Sequence, residues 1–346
     1  MKKPAHLNLD FNLDSLGIWD SLVAFPEQCR QVIREITTQA IPNQCYLAEN
    51  IVISGMGGSA LGGRIVAYLE RQTLKIPVII STEFHLPNFV NEKSLVVVTS
   101  YSGNTAETLS SLSEARARNA GIFVLTSGGQ LAKEATRYSL PAYVFNPVHN
   151  PSAQPRMGLG YDIVAIIALL SRCQLIHPAH DLGKLPGFLQ DRQNDYGSLP
   201  ELAKLLKGRI PVIVASEHLK GSAFAFRNQL NENSKTFASF FDLPELNHHL
   251  LEGFSKPVTN PDNLYFLFVR SSKYHPELNR RYPVTAQVVE KNHIPYSYLD
   301  PAGPNRFFET MDLVAQGGFI SYYLALFYSI DPGLIPWVDW YKDQFR

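Results

Sequence analysis

The chain has 346 residues and carries 31 basic and 31 acidic side chains, so its formal net charge at pH 7 is zero. This balance gives no electrostatic reason to expect nucleic acid or an anionic membrane as a partner. Hydrophobic residues make up 45% of the chain and charged residues 18%, which excludes disorder along most of its length. A chain of this length accommodates two domains or one large α/β domain.

The three cysteines, Cys29, Cys45 and Cys173, are scattered and form no CxxC pair. Such usage is typical of a reducing compartment and argues against a thiolate zinc site. The N-terminal residues lack the apolar run of a signal peptide, and no apolar stretch is long enough to span a bilayer. We therefore expect a cytoplasmic protein without a membrane partner.

Residues 1–45 show no strand alternation and are interpreted as an N-terminal helical segment. Short, continuous apolar runs follow, which is typical of strands buried on both faces of a parallel sheet. The runs of the first half are residues 51–53, 77–80, 95–98, 122–125 and 142–145. Helical segments lie between them, and the clearest has Asn104 as its predicted N-cap and Gly121 as its end. This alternation predicts an α/β sandwich.

A helix from about Tyr161 to Arg172 closes the first half, and a loose stretch with His177–Pro178 places a domain junction near residues 180–200. The second half repeats the pattern faintly, with apolar runs at residues 210–216, 265–269 and 294–298. The predicted parts are an N-terminal helical segment over 1–45, a first domain over 46–180 and a second domain over 195–346. Each domain is expected to be a mainly parallel sheet flanked by helices.

A glycine-rich loop, Gly55–Ala60, follows the first apolar run and opens a helix. Glycines in this place, here Gly57 and Gly58 ahead of Ser59, let backbone N–H groups approach an anion at the positive end of the helix. The same residues also fit a GxGxxA dinucleotide fingerprint, with Glu83 as a ribose partner. The loop alone therefore leaves a nicotinamide dehydrogenase, and a simple tight turn, as alternatives.

A second loop places Ser100, Ser102 and Thr105 around Gly103 at the start of the next helix. Hydroxyl and amide donors without a formal positive charge suit a phosphate monoester. Helix capping is the alternative, although it does not account for the whole cluster. A third hydroxyl-bearing turn, residues 126–129, follows the neighbouring strand, and the ends of parallel strands lie on one side of a sheet. We therefore expect these loops to converge on a phosphate.

Three motifs in this order, SGMGGSALGG, SYSGNTAET and LTSGG, resemble the sugar isomerase (SIS) fold, which binds phosphosugars. Later segments at residues 154–156, 230–233, 244–248 and 331–342 resemble the bifunctional phosphoglucose/phosphomannose isomerase family, and the resemblance spans roughly residues 20–346. It implies two SIS lobes, each a three-layer α/β/α sandwich. It also implies an isomerase that converts glucose 6-phosphate, and mannose 6-phosphate as a second substrate, to and from fructose 6-phosphate without a cofactor.

The same resemblance implies a role for each matched residue. The residues matched to phosphate binding are Ser59, Ser100, Ser102 and Thr105, with Gly57 and Gly58 in the substrate loop. The residues matched to catalysis are Arg156 near C1 and C2, Glu232 as the base, and His248 with Lys342 in ring opening. The resemblance further implies a homodimer in which His248 reaches the neighbouring subunit's site.

The predicted reaction needs these residue types on chemical grounds. Moving a proton from C2 to C1 through an enediol(ate) needs a carboxylate base, and Glu232 is flanked by the orienting amides Asn231 and Asn233. The enediolate oxygen needs a cation such as Arg156, and ring opening suits an imidazole because histidine titrates near neutral pH. Without the resemblance, Glu232 and Arg156 are both interpreted as surface charges.

The apolar stretch at residues 334–337 predicts that the C-terminal tail packs down at the active site and holds Lys342 in place. A metal site that joins the adjacent histidines to Glu245 or Glu252 has little support, because an enediol route needs no metal and no ligand spacing recurs. We therefore predict no metal and no cofactor.

Other functional classes stay open at this point. A phosphosugar-binding sensor of the SIS fold keeps the hydroxyl loops but needs neither Glu232 nor Arg156, and no helix-turn-helix or basic extension is evident. A glucosamine-6-phosphate synthase-type isomerase carries an N-terminal glutaminase segment with a leading cysteine, and no such segment is expected here. The preference between the two C2 epimers depends on pocket shape and does not follow from the sequence.

Overall fold

The computed structural model describes residue 3, residues 9–176 and residues 180–345. Within these residues the chain divides into two compact units. The first lobe is Ala24–Leu189, and the second lobe combines the described residues up to Val23 with those from Gln190 onward. Each lobe contains one sheet of parallel strands.

The described N-terminal segment is helical and is shared between the lobes. Helix α1 (Ile18–Val23) belongs to the second lobe and α2 (Phe25–Glu35) to the first. Trp19 of α1 is 4% exposed and packs edge-on against Phe319, with 5.5 Å between the ring centroids. Short 3-10 turns lie at Phe11–Leu13, Ile36–Thr38 and Asn43–Leu47.

Five parallel strands form the sheet of the first lobe. They are β1 (Asn50–Ser54), β2 (Val78–Ser81), β3 (Ser94–Ser100), β4 (Gly121–Thr126) and β5 (Ala142–Val144). Their order in the sheet is β2-β1-β3-β4-β5. Every residue of β3 and β4 is buried, which fits continuous apolar runs in strands that have helices on both faces. The five strands predicted for this half are confirmed.

Helices cover both faces of this sheet. Besides α2 they are α3 (Gly58–Leu69), α4 (Ala106–Ala117), α5 (Gly129–Arg137) and α6 (Leu159–Arg172). On one face, Leu112 of α4 joins Val96 and Val124 in an apolar core. On the other, a Cβ added at Gly63 of α3 would lie 2.6 Å from the Ile53 side chain. Helices therefore lie above and below the strands, and the predicted three-layer sandwich is confirmed.

Four parallel strands form the sheet of the second lobe. They are β6 (Ile210–Ala215), β7 (Ser239–Asp242), β8 (Leu264–Val269) and β9 (Tyr296–Leu299). Their order is β7-β6-β8-β9, which repeats the order β2-β1-β3-β4 of the first sheet. The faint internal repeat predicted from the sequence is therefore a repeat of topology.

The remaining helices follow in chain order. They are α7 (Leu185–Arg192), α8 (Leu199–Leu205), α9 (Lys220–Asn233), α10 (Asn260–Asn263), α11 (Pro276–Lys291), α12 (Arg306–Phe327) and α13 (Pro336–Asp343). Helix α12 is buried along nearly its whole length and packs against α8 and α9. Among the described residues, none of the helices combines the length and the apolar character needed to cross a membrane.

The start and end of α4 differ from the prediction. Thr105, not Asn104, is the N-cap, and the Asn104 side chain instead accepts a hydrogen bond from the Gln130 amide at 3.0 Å. The helix ends at Ala117, and Gly121 opens β4. Asn104 fails as a cap because the turn after β4 lies beside it, a contact that local spacing does not reveal.

Strand β7 was not predicted. All four of its residues are half-buried, and it lies at the edge of its sheet, so its sequence lacks a fully apolar run. The loose stretch predicted around His177–Pro178 lies outside the described residues.

Candidate active site

The candidate site lies at the switch point of the first sheet, where β2 and β3 flank β1 on opposite sides. Ligands of open α/β sheets bind at such points, outside the carboxyl ends of the strands. The first loop, Gly55–Gly57, follows β1 there, the second loop, Tyr101–Thr105, follows β3, and the third loop, Ser127–Gly128, follows β4. The three loops predicted to converge thus start at one edge of the sheet.

Close approach of the backbone shapes the first loop. A Cβ added at Gly55 would lie 2.9 Å from both the carbonyl oxygen and a side-chain carbon of Thr99. Gly57 has φ 52° and ψ −125°, a conformation that glycine adopts without a steric penalty. Among the described residues, no non-neighbouring heavy atom lies within 4 Å of a Cβ placed on Gly57. The loop is therefore tight against β3 and open at Gly57, just before α3 begins.

The second loop is held by its own hydroxyls. Ser100 is 1% exposed, and its Oγ lies 2.9 Å from Thr105 Oγ1 and accepts from the Gly103 amide at 3.1 Å. Gly103 has φ +70°, and a Cβ there would be 1.9 Å from the carbonyl oxygen of Gly128 in the third loop. Ser102 is exposed. The loop can take this form because residue 103 has no side chain.

Tyr101 of the second loop connects the start of α3 with the third loop. Its amide donates to Ser59 Oγ at 2.8 Å, and its carbonyl accepts from the Ser127 hydroxyl at 2.6 Å. Its phenol oxygen accepts from Asn150 Nδ2 at 2.8 Å. Burial raises the pKa of Tyr101 to about 12; the Asn150 hydrogen bond opposes the rise and the nearby Asp162 carboxyl adds to it. These contacts confirm that the loops converge.

Donors without a hydrogen-bond partner among the described residues lie at the start of α3. Among the described residues, the amides of Gly57 and Gly58 have no hydrogen-bond partner. Ser59 is 5% exposed, and its oxygen accepts from Tyr101, so its own proton remains available for donation. We call the Gly57 and Gly58 amides with the hydroxyls of Ser59, Ser100 and Thr105 the anion cradle. The N-termini of α3 and α4 add the positive ends of two helix dipoles.

Arg156 lies beside the first loop. It belongs to the 3-10 turn Pro155–Met157 and is 1% exposed. A Cβ on Gly58 would be 2.9 Å from the Arg156 backbone nitrogen, so this turn contacts the start of α3. The guanidinium donates through Nη1 to Gln154 Oε1 at 2.8 Å. The structure thus brings the backbone of Arg156 to the start of α3, where Gly58 and Ser59 of the anion cradle lie.

The predicted base, Glu232, lies in the last turn of α9 in the second lobe and is half-buried. Its flanking amides anchor this turn. Asn231 Oδ1 accepts from the Ala238 amide at 2.9 Å, and Asn233 Nδ2 donates to Ser321 Oγ at 2.9 Å. The backbone that carries Glu232 is therefore fixed to both a following loop and α12.

His248 ends the 3-10 turn Glu245–His248, which follows β7, and it is exposed. The turn itself is anchored, because Leu246 is fully buried and Asn247 Oδ1 accepts from Thr285 Oγ1 at 2.9 Å. A fixed backbone therefore presents the imidazole at the surface of the chain.

Lys342 lies on α13, which has no buried residue. On the single chain Leu334 is 50% and Trp337 79% exposed, so packing of the tail at the active site stays a prediction. Trp340 and Tyr341 are also exposed, by 59% and 60%. An apolar segment predicts burial, but it does not say whether the covering surface belongs to the same chain.

The described residues contain no group of three or more His, Cys, Asp and Glu side chains placed to hold a metal ion. The adjacent histidines with Glu245 and Glu252, considered above as ligands, therefore form no such group.

The matching edge of the second sheet carries a buried ionic cluster. Glu309 of α12 is 3% exposed, and its carboxylate accepts from Lys273 Nζ at 2.7 Å and from Ser271 Oγ at 2.6 Å. The same carboxylate lies 2.9 Å from His218 Nε2. His218 follows β6, and Ser271 and Lys273 follow β8, so these residues occupy the switch point of this sheet. We call these four residues the Glu309 cluster.

The charge states of this cluster follow from burial and pairing. Burial raises the pKa of Glu309, but hydrogen bonds from His218, Lys273 and Ser271 outweigh it and hold the pKa below its usual value. Burial lowers the pKa of His218, against the influence of Glu309. His218 Nδ1 is buried without a hydrogen-bond partner among the described residues, which also disfavours a second proton on the ring.

Two family models match the chain, one in each lobe. The model of the SIS domain matches residues 46–141, and that of the bacterial phospho-glucose isomerase C-terminal SIS domain matches residues 199–345. A solved structure of a hypothetical protein from Thermus thermophilus is similar in fold, with a TM-score of 0.72 at 18% identity over 96% of this chain and 90% of that one. Fold and loops together define a protein with two SIS domains.

Sequence relatives narrow the class. The chain is 29% identical over 338 residues to a bifunctional phosphoglucose/phosphomannose isomerase of Caldicellulosiruptor bescii, across 94% of this chain and 98% of that protein. It is 31% identical over 291 residues to a protein of the same name from Thermoplasma acidophilum, across 82% and 85%. The chain belongs to the bifunctional phosphoglucose/phosphomannose isomerase family, as its motifs predicted.

Proposed function

We propose that the chain is an aldose–ketose isomerase that interconverts glucose 6-phosphate, and mannose 6-phosphate, with fructose 6-phosphate. The observation that carries this proposal is the anion cradle beside Arg156 in a chain of this family. The cradle supplies amides and hydroxyls without a carboxylate, which suits a phosphate dianion. Ser102, exposed at the rim of the second loop, completes the phosphate contacts. No metal and no cofactor takes part.

Proton transfer is assigned to Glu232 and Arg156. In the open-chain sugar, Glu232 removes the proton from C2, the electron pair forms the C1=C2 bond, and the C1 carbonyl oxygen takes the negative charge. Arg156 stabilises that oxygen. The C2 hydroxyl proton then passes to the C1 oxygen, and Glu232 returns the carbon proton to C1, which gives the ketose with its C2 carbonyl and C1 hydroxyl. Because C2 is planar in the enediolate, one intermediate serves both C2 epimers.

Ring opening is assigned to His248 and Lys342. The reaction needs a proton donor at the ring oxygen and an acceptor for the C1 hydroxyl proton. Both side chains are exposed on the single chain, and α13 presents Trp337 and Trp340 to the surface. A homodimer in which His248 reaches the partner's site, and in which α13 is covered, accounts for this exposure.

The cysteines support a cytoplasmic location. Cys29, Cys45 and Cys173 are all buried free thiols in the described chain. Such usage fits a reducing compartment.

The first test is formation of fructose 6-phosphate from glucose 6-phosphate or mannose 6-phosphate, in the presence of EDTA. The wild-type protein is expected to turn over both. Glu232→Gln is expected to lower kcat by about 10³-fold while glucose 6-phosphate still binds, because only the base is lost. Glu290→Gln, an exposed carboxylate on α11, is the matched control and keeps wild-type turnover.

The outcomes separate the functional classes. Turnover of glucose 6-phosphate alone narrows the activity to a phosphoglucose isomerase. Binding of both sugars without any turnover contradicts the enzyme and favours the sensor. An unchanged kcat in Glu232→Gln removes this residue from the mechanism.

The shared site is tested by mixing two inactive variants, Glu232→Gln and His248→Ala. If His248 acts across the interface, a mixed dimer contains one intact site, and equal mixing restores about a quarter of wild-type activity. If His248 acts within its own chain, mixing restores nothing. A fully active monomer in sedimentation analysis contradicts the dimer itself.

A further inference from the structure

Asp162 is a buried carboxyl that contacts segments carrying the anion cradle. It lies in the first turn of α6 and is 1% exposed. Its Oδ1 has one long hydrogen bond, 3.5 Å from Thr99 Oγ1, and its Oδ2 is buried without a partner among the described residues. Thr99 directly precedes Ser100 of the cradle. A charged carboxylate in this environment lacks compensation, so the protonated acid is the form that fits.

Helix α3 lies against the same carboxyl from another side. A Cβ on Gly62 would be 2.5 Å from Asp162 Cβ, so α3 and α6 are in close contact here. Gly62 lies about one helical turn after Ser59, the cradle residue of α3. Asp162 therefore touches both segments that hold the cradle, the end of β3 and the first turns of α3.

Among the residues that the structure describes, no cation pairs with the Asp162 carboxyl. The titratable and charged side chains on the elements around it are Tyr101 after β3, Arg64 and Tyr68 on α3, Arg156 before α6, Tyr161 and Arg172 on α6 itself, and Glu27, Cys29, Arg30, Arg34 and Glu35 on α2. None of them forms an ion pair or hydrogen bond with Asp162 among the described residues. Burial raises the pKa of Asp162 to about 8, and the Thr99 hydrogen bond acts in the opposite direction.

We propose that Asp162 is a positioning residue for the phosphosugar: its protonated carboxyl supports the anion cradle, and its ionisation weakens binding of the phosphate. This inference rests on the proposed function, because it takes a phosphosugar as the ligand of the cradle. An ionised Asp162 repels the phosphate dianion through a medium of low dielectric constant and draws hydrogen-bond donors away from the loops. The phosphate is bound equally in the ground state and the transition state, so KM changes while kcat does not.

The experiment measures KM and kcat for glucose 6-phosphate from pH 7 to 9.5, with calorimetric binding at both ends. For the wild type, KM is expected to rise on the order of tenfold with little change in kcat. Asp162→Asn is expected to show no such rise, because its amide does not ionise. The second proton of the phosphate is lost near pH 6, so the ligand does not titrate in this range.

Asp181→Asn, which removes an exposed carboxylate of the same lobe, is the matched control and keeps the wild-type pH profile. An equal rise of KM in wild type and Asp162→Asn overturns the proposal, as does a flat wild-type profile. If Asp162→Asn does not fold, the same pH dependence of KM is measured on Thr99→Val, which tests the proposal in its place. Loss of its hydroxyl is expected to move the rise to higher pH, and an unmoved midpoint overturns the proposal. A wild-type protein that fails to bind glucose 6-phosphate at pH 7 contradicts the proposed function instead.

Discussion

In the first lobe, the loops after β1 and β3 present amides and hydroxyls with no acidic side chain among them. In the second lobe, the loops after β6 and β8 present His218, Ser271 and Lys273 to the carboxylate of Glu309. The two sheets have the same strand order around these loops. The switch point of the first sheet thus carries the anion cradle, whose donors are available to a ligand. The switch point of the second sheet carries the Glu309 cluster, whose charges are already paired.

The difference lies in where the negative charge originates. Helix dipoles and switch-point loops favour an anion at both positions. In the second lobe α12 supplies that anion within the chain, so Lys273 and Ser271 are already engaged. In the part of the first lobe that the structure describes, no carboxylate accepts a hydrogen bond from the donors of the cradle, and a phosphate from outside can complete it. Repetition of a fold therefore does not repeat a binding site.

The largest expected effect on the contrast between the two lobes comes from Gly103→Ala, which disrupts the donor loops of the first lobe. The new Cβ would be 1.9 Å from the Gly128 carbonyl oxygen, and the residue has φ +70°. We expect loss of more than about 3 kcal/mol of stability together with loss of glucose 6-phosphate binding. Denaturant unfolding and calorimetry measure the two effects.

The control for this change is Gly187→Ala. Gly187 lies inside α7, where a Cβ meets no described atom within 4 Å. This variant is expected to gain up to about 1 kcal/mol, because alanine is the better helix former. Normal sugar binding by Gly103→Ala shows that the loop contact is not needed for the cradle.

A smaller effect is expected from Glu309→Gln. The change leaves Lys273 without its charged partner and is expected to cost about 3 kcal/mol of unfolding free energy. Glu277→Gln, from an exposed pair with Arg280, is the control and costs less than about 0.5 kcal/mol. Equal losses in the two variants mean that the Glu309 cluster contributes no more than a surface pair.

The smallest expected effect is a dependence of the unfolding free energy on pH, caused by Glu309 and His218. The pKa of Glu309 is lowered from 4.5, so its contribution is present above that value and is lost as pH falls through the folded-state pKa. The pKa of His218 is lowered from 6.5, so the unfolded chain binds more protons than the folded chain below that pH. Unfolding free energy is expected to fall from pH 7 to pH 4, less steeply in Glu309→Gln. Parallel pH profiles of the two proteins exclude a role for the carboxylate in this decline.

Much of the fold was predictable because a strand buried on both faces of a sheet is a continuous apolar run in the sequence. Strands β3 and β4 are continuous apolar runs for this reason. Strand β7 has no such trace, since it is a half-buried edge strand of four residues. Asn104 was wrongly predicted as a cap because its partner, the Gln130 amide, belongs to the first turn of α5, which lies far along the chain from α4.

The candidate site shows the same division. The glycines and hydroxyls of the cradle are local motifs, and their convergence follows from parallel strand order. Tyr101 was missed because its contact with Ser59 joins residues 42 positions apart. Asp162 was missed because its contact with Thr99 spans 63 positions. The role of these hydroxyl and carboxyl groups depends on partners that are distant in the sequence, so motif spacing does not predict them.

The path of the chain also sets an order of assembly during translation. The residues of the first lobe, 24–189, form one continuous stretch, so this lobe can complete its core while the ribosome is still adding the rest. Helix α1 is made earlier but belongs to the second lobe. Trp19 packs against Phe319, Tyr322 and Tyr323 of α12, which are made near the end of synthesis. Helix α1 is therefore made early but packs late. In a nascent chain, Trp19 is not covered by α12 until that helix has been synthesised.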